Sequence, residues 1–256
     1  MIKTAVLAGG LGSRLGAVTE DRPKPLVEIG SHPMLWHIMT YLAHAGMRDF
    51  VIALGYKGDV IKRYFDEPIQ FQAHLSVDPA NKENKNSEES PPDVSVELID
   101  TGLKTQTGGR ILRLKPWLEN DTFCLCWGDG LHNVDMRALL AFHRAHQKLA
   151  TVVAVRPPAR FGHLEFDGDR VVEFSEKPQA AEGWINGGVF VLEPGIFTYI
   201  KDDKTHWEHE PMRNLAADGQ LMAFRHQGFW QCMDTPRDLA LLNRLWQQGN
   251  HPWNSN

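Results

Sequence analysis

The sequence predicts an α/β fold: a mostly parallel mixed sheet flanked by helices, with a small antiparallel addition in its C-terminal part. Three features carry that prediction. An apolar run, Ala5-Val-Leu-Ala8, breaks into three glycines within four positions (Gly9, Gly10, Gly12), the pattern of a buried strand ending in a loop. From there to about residue 65, strand and helix periodicities alternate, as a parallel sheet with crossover helices requires. After residue 160 the pattern turns to short strands with tight turns such as Asp167-Gly-Asp169. With 256 residues, 42% hydrophobic and 23% charged, one domain is expected.

The glycine loop is followed by two cations, Arg14 and Lys24, the latter within Arg22-Pro-Lys-Pro25. Backbone N–H groups in such a loop can reach a polyanion; a plain glycine turn with solvated cations nearby is the blander reading. Two better known glycine loops fail here. Counting from Gly10, Leu15 stands where the dinucleotide fingerprint needs glycine or alanine, and counting from Gly9, Arg14 stands where the P-loop needs its Gly-Lys pair.

Val27-Glu-Ile29 reads as extended. Ser31 is the expected N-cap of a helix with Pro33 near its first turn and Leu35, Ile38, Met39 and Leu42 at helical spacing. Phe50–Leu54 is a second buried strand ended by Gly55, and Asp59–Phe65 a short helix with Val60, Ile61, Tyr64 and Phe65 on one stripe. Residues 78–93 hold almost nothing that could be buried, so they are expected to form an exposed, mobile loop between strands near 71–77 and 94–99. Either a tolerated surface insertion or a lid or subunit contact fits that composition.

Thr101–Arg110 is a second glycine and hydroxyl cluster, expected before a helix that carries Ile111, Leu112, Leu114 and Leu118 and is kinked or ended early by Pro116. Gly108-Gly109 at that helix entrance, beside Arg110, repeats the anion-binding logic of the first loop. Phe123–Trp127 is a strand terminating in Gly128-Asp129-Gly130. Carboxyl ends of parallel strands are where ligands bind, so Asp129 is a candidate metal-binding carboxylate; a turn aspartate bonding its own backbone is the alternative. Cys124 and Cys126, two apart on this strand, share a face and are read as core; with Cys232 they make three cysteines, which cannot all pair.

A helix from Asp135 to about Gln147 and the strand Thr151–Val155 continue the alternation. Short strands at 162–166, 170–174 and 188–192 are expected to form an antiparallel addition capping the sheet. Within it, Glu176-Lys-Pro178 and Ile185-Asn-Gly-Gly188 are polar clusters in which Lys177 suits an anion and Asn186 a hydroxyl, though solvated turns read the same way. After a helix at 208–217 come strands at 221–224 and 229–233. Asp234 follows, Thr235 caps a last helix, Pro236 fits its first turn, and Leu239, Leu242, Leu245 and Trp246 form its apolar stripe.

The net charge of −5 argues against non-specific nucleic-acid binding. No stretch approaches the roughly 18 apolar residues of a membrane span, and the start carries no leader, so a cytoplasmic protein with no membrane partner is expected. Taken in order, the clusters supply what nucleotidyl transfer needs: a glycine loop for a triphosphate, cations for departing pyrophosphate, two strand-end carboxylates for a divalent metal, and a lysine for a second phosphate. The absence of a histidine, cysteine or serine constellation fits direct in-line displacement.

Leu7-Ala-Gly-Gly-Leu-Gly-Ser-Arg14, Pro23-Lys-Pro25, Gly128-Asp-Gly130, Glu176-Lys-Pro178 and Asn186-Gly-Gly188 together resemble the sugar-1-phosphate nucleotidyltransferase family. Leu35-Trp-His-Ile-Met39, Gly55-Tyr-Lys-Gly58, Asp100-Thr-Gly102, Thr107-Gly-Gly-Arg110, Arg160-Phe-Gly162, Phe229-Trp-Gln231 and Met233-Asp-Thr235 resemble its cytidylyltransferase branch over nearly the whole chain. The resemblance implies the Rossmann-like nucleotide-diphospho-sugar transferase fold and a single domain over 1–256. Its nucleotide-binding part would be about 1–155, its sugar-phosphate-binding and capping part about 156–256. It implies CTP and glucose 1-phosphate as substrates, Mg²⁺ as cofactor, CDP-glucose and pyrophosphate as products on the way to surface polysaccharides, and a homo-oligomer.

By position, the resemblance implies that Leu7, Ala8, Gly9, Gly10, Gly12, Ser13, Arg14, Lys24, Thr105, Arg110 and Gly128 bind the nucleotide, with Arg14 and Lys24 also catalytic. Asp129 and Asp234 would hold the metal. Glu176, Lys177, Asn186 and Gly187 would hold the sugar phosphate. Three features depart from the family pattern: the Asn-, Glu- and Ser-rich run at 79–93, His163 where a smaller residue is expected, and Cys232 in place of proline. Another base (UTP or dTTP) or another phosphorylated acceptor stays open, and a non-catalytic nucleotide-sugar sensor is the distant alternative.

Overall fold

In the computed structural model, which describes residues 2–66, 94–157, 163–167, 170–175 and 183–254, the chain begins with β1 (Lys3–Leu7). A glycine loop and two 3₁₀ turns (Ser13–Thr19 and Lys24–Leu26) lead to a small hairpin, β2 (Glu28–Ile29) and β3 (His32–Pro33), and into α1 (Met34–His44). Then come β4 (Asp49–Leu54), α2 (Gly58–Asp66), β5 (Ser95–Asp100), α3 (Thr107–Arg113) and α4 (Lys115–Leu118). β6 (Phe123–Trp127), β7 (Gly130–His132), α5 (Met136–His146) and β8 (Ala150–Val155) follow. The C-terminal part holds β9 (His163–Asp167), β10 (Arg170–Ser175), β11 (Ile185–Leu192), α6 (Glu210–Ala217), β12 (Leu221–His226), β13 (Trp230–Cys232) and α7 (Pro236–Gln247).

Among the described residues, seven strands form the central sheet in the order β12-β8-β11-β6-β1-β4-β5. All neighbours are parallel except β11, which runs antiparallel to both β6 and β8. β1, β4, β6 and β8 are covered on both faces, which explains why they read as unbroken apolar runs instead of alternating ones. Cys124 and Cys126 do share a face and pack into one buried cluster with Val6 and Val191.

Residues 185–192 were expected in a capping addition; they lie in the middle of the main sheet. Val189, Phe190, Val191 and Leu192 are at most 3% exposed, and an interior strand is the position that covers both faces of such a run. Among the described residues, the antiparallel addition is the ribbon of β9 and β10, paired to each other. The expected loop at 78–93 and strand near 71–77 lie outside the described residues.

Helix α1 starts later than expected, and Ser31 does not cap it. Ser31 is exposed in the β2–β3 turn, and the residue before the helix is Pro33, still extended and paired with Glu28. The proline keeps His32 out of helical angles, and the pairing with Glu28 carries the extended backbone through Pro33, so the helix begins after it. Pro116 does end its helix early: α3 stops at Arg113 and Pro116 restarts a short α4. Thr235 caps α7 as expected, in a capping box with Asp238.

The C-terminal Trp253 is fully buried and donates its indole N–H to His37 Nδ1 at 3.3 Å, while His37 Nε2 meets the Ile29 carbonyl at 2.9 Å. An indole N–H only donates, so Nδ1 must accept and Nε2 must carry the proton. Burial pushes His37 down to about 4, below its ordinary 6.5. The unfolded chain therefore binds this proton first: stability is complete above about pH 6.5 and falls as pH drops toward 4, by about 3 kcal/mol. The melting temperature should fall between pH 7 and 5, and His37→Gln should make that slope shallower; an unchanged slope excludes His37 as its source.

Candidate active site

The loops at the carboxyl ends of β1, β5 and β6 surround a cavity of about 880 Å³. Leu7, Ala8, Gly9, Gly10, Gly12, Arg14, Lys24, Thr105, Arg110, Gly128, Asp129 and Asp234, each singled out from the sequence, line it. Ser13 opens the first 3₁₀ turn and its side chain lies outside the described residues. A second cavity of about 610 Å³ is lined by Asn186 and Gly187 and shares Arg14, Trp127, Asp129 and Asp234 with the first. Glu176 and Lys177 lie outside the described residues.

Asp129 and Asp234, far apart in sequence, meet because of the β7–β13 ribbon. Asp129 immediately precedes β7 and Asp234 lies just after β13; Gly130 pairs with Cys232, and the Met233 N–H donates to the Asp129 carbonyl at 2.8 Å. Asp238 at the start of α7 accepts from the Asp234 N–H at 3.1 Å, which fixes the backbone of Asp234.

Between the two carboxylates stands Lys24. Its Nζ lies 2.6 Å from Asp129 Oδ2 and 2.6 Å from Asp234 Oδ1, and Arg14 Nη1 donates to Asp234 Oδ2 at 2.9 Å. Burial lowers the Lys24 pKa, but the charge of Asp129 and hydrogen bonds to both carboxylates outweigh it and hold the ammonium above its ordinary value. Asp129 is thus no turn aspartate satisfied by its own backbone.

Two carboxylates already converge on one positive charge, and among the described residues no group of three or more His, Cys, Asp or Glu could hold an ion. Two carboxylate oxygens completed by substrate phosphates and water suit a hard divalent cation such as Mg²⁺.

Arg110 has a role that its place in the sequence did not reveal. Its guanidinium is buried, with Nη1 donating to Leu54 O at 3.0 Å, Thr101 Oγ1 at 2.6 Å and Gly102 O at 2.9 Å, and Nη2 to Gly9 O at 3.1 Å. It ties together the ends of β1, β4 and β5. A Cβ on Gly9 or Gly55 would overlap this guanidinium, so those glycines serve Arg110 as much as any ligand. Gly108 and Gly109 were expected in an anion-binding helix entrance; they lie inside the first turn of α3. A Cβ on Gly109 would lie 2.5 Å from Asp203 Cα, so the pair lets the segment around residues 203–205 cross the helix.

Asn186 Oδ1 accepts from the Gly188 N–H at 2.8 Å, which orients its amide nitrogen. Trp230 donates its indole N–H to Gly187 O at 2.8 Å and lines the second cavity. With Trp127, which borders both cavities, Trp230 is a site residue that motif reasoning missed. Its signal was its place in Phe229-Trp-Gln231, a run that carries the family resemblance and lies just before Asp234.

A model of the nucleotidyl transferase family matches residues 3–244. The chain belongs to that family. It is 44% identical over 253 residues to a glucose-1-phosphate cytidylyltransferase of Salmonella typhi, covering 98% of each chain. It is 40% identical to a probable glucose-1-phosphate cytidylyltransferase of Bacillus subtilis, covering 98% of this chain and 99% of the relative. Among solved structures, HddC from Yersinia pseudotuberculosis superposes with a TM-score of 0.71 at 26% identity, over 96% of this chain and all of HddC. The nucleotide-diphospho-sugar transferase fold expected of the sequence is therefore the fold it has. The family works with a divalent metal, and the paired carboxylates suit one. No helix among the described residues is long and apolar enough to cross a membrane.

Proposed function

We propose that this enzyme condenses CTP with α-D-glucose 1-phosphate, giving CDP-glucose and pyrophosphate, and that it acts in the cytoplasm as a homo-oligomer. One observation carries the reading: two cavities, each able to hold one substrate, meet at the cluster of Arg14, Lys24, Asp129 and Asp234. The names of the two bacterial relatives support the base and the sugar. Residues about 1–155 supply the nucleotide side and about 156–256 the sugar side.

A phosphate oxygen of the sugar attacks the α-phosphorus of CTP; the bond from that phosphorus to the β-phosphate bridging oxygen breaks, and pyrophosphate leaves. The glycine loop from Gly9 to Ser13 offers N–H groups to the triphosphate, with Leu7, Ala8, Thr105 and Gly128 around the nucleoside. Arg110 fixes the loop beside it. Arg14 and Lys24 neutralise charge on the α-phosphate and leaving group. Asn186, Gly187, Glu176 and Lys177 hold the sugar phosphate. Mg²⁺ held by Asp129 and Asp234 would draw negative charge from the reacting phosphates.

The test is a pyrophosphate-release screen of four NTPs against a panel of sugar 1-phosphates. CTP with glucose 1-phosphate should give the highest kcat/KM; preference for another pair reassigns the base or the sugar. Lys24→Ala should lower kcat by roughly 10²–10³-fold with a smaller change in nucleotide KM, because leaving-group charge develops in the transition state. An unchanged kcat removes Lys24 from the chemistry.

A further inference from the structure

Lys24 fills the point on which the two carboxylates converge. Its ammonium is 2.6 Å from one oxygen of Asp129 and 2.6 Å from one of Asp234, and its side chain is only 11% exposed. The other oxygen of Asp234 is held by Arg14. Three of the four oxygens suited to a metal are thus taken by the chain's own cations. An ammonium and a divalent cation at that point would repel strongly in a partly buried site.

The partners differ in freedom to move. The backbones of Asp129 and Asp234 are locked by the β7–β13 ribbon and by Asp238. Lys24 carries its charge on a flexible four-carbon stem and lines the first cavity, where a triphosphate would offer it a new set of oxygens.

We propose that Lys24 is an exchangeable counter-ion: without nucleotide it occupies the cation position between Asp129 and Asp234, and an incoming triphosphate draws its ammonium away and opens that position to the divalent metal. This rests on the reading of Asp129 and Asp234 as the metal ligands. Metal and nucleotide then bind with mutual cooperativity, and each raises the affinity of the other by the same factor. Lys24 keeps the nucleotide-free site from capturing a metal it cannot yet use.

The test reads binding and not turnover. Free Mn²⁺ is followed by electron paramagnetic resonance with the full-length protein, with and without α,β-methylene-CTP. Wild type should bind Mn²⁺ weakly alone and at least tenfold more tightly with the analogue. Lys24→Met, which keeps the stem and removes the charge, should bind Mn²⁺ at least tenfold more tightly than wild type without nucleotide, and its gain from the analogue should shrink. Lys24→Arg should stay weak. Equal Mn²⁺ affinity of wild type and Lys24→Met without nucleotide overturns the exchange. Lys24→Gln replaces the methionine variant if that fails to fold. Wild type is decisive by itself if it binds Mn²⁺ equally with and without the analogue, which also overturns the exchange. Asp129→Asn or Asp234→Asn in the Lys24→Met background should abolish the gained site. A gained site that survives both places the metal elsewhere and refutes the ligand assignment, whereas a gain that never occurs refutes the exchange alone.

Discussion

Replacing Asp129 or Asp234 with alanine should lower turnover by roughly 10³-fold or more while leaving the fold in place. Their side chains are 28% and 27% exposed and lie on loops, so neither substitution opens a core cavity. Either variant leaves Lys24 one carboxylate partner and so does not strand a buried charge. What is lost is the convergence of two carboxylates on one cation, which a single carboxylate cannot reproduce. The measurement is pyrophosphate release at saturating Mg²⁺ beside a thermal melt. Near-wild-type release from both variants would sink the metal assignment, and a collapsed melt would show that the pair is structural.

Removing the Arg110 guanidinium should have the second largest effect, on stability and nucleotide binding together. Four hydrogen bonds from one buried cation join the ends of three strands, and charged donors to neutral oxygens contribute about 1.5–3 kcal/mol each before sharing. Leu54 O also accepts from Thr101, and Gly9 O from Tyr56, so part of the loss is compensated. A net cost of about 3 kcal/mol is expected for Arg110→Ala, a fall of roughly 6–12 °C in melting temperature. Because Gly9 loses an anchor, nucleotide KM should rise roughly tenfold while sugar-phosphate KM changes little. Arg110→Lys should recover part of the stability but not the KM, since a point donor cannot reach all four oxygens. Equal changes in both KM values would show that Arg110 supports the domain and not the loop.

The glycine loop, Lys24, Asp129 and Asp234 stand out in the sequence because each lies at a strand or helix boundary marked by glycine or proline, and because together they supply the groups that nucleotidyl transfer requires. Helix and strand positions are legible from periodicity, and the cap at Thr235 from Pro236 directly after it and the apolar stripe that follows. The start of α1 was misplaced because Ser31 looks like a cap locally, while the β2–β3 pairing that keeps Pro33 extended is not a local property.

The sequence by itself determined the α/β class, the core strands and the candidate phosphate- and metal-binding residues, because burial periodicity and punctuation by glycine and proline are written into neighbouring residues. Only the tertiary structure decided that 185–192 runs inside the sheet, that Arg110 is a tie between strand ends, that Trp127 and Trp230 border the cavities, and that Lys24 sits between the two carboxylates. Each of these depends on contacts between segments distant in sequence, and such contacts follow from strand order and the direction of side chains, which no local pattern encodes.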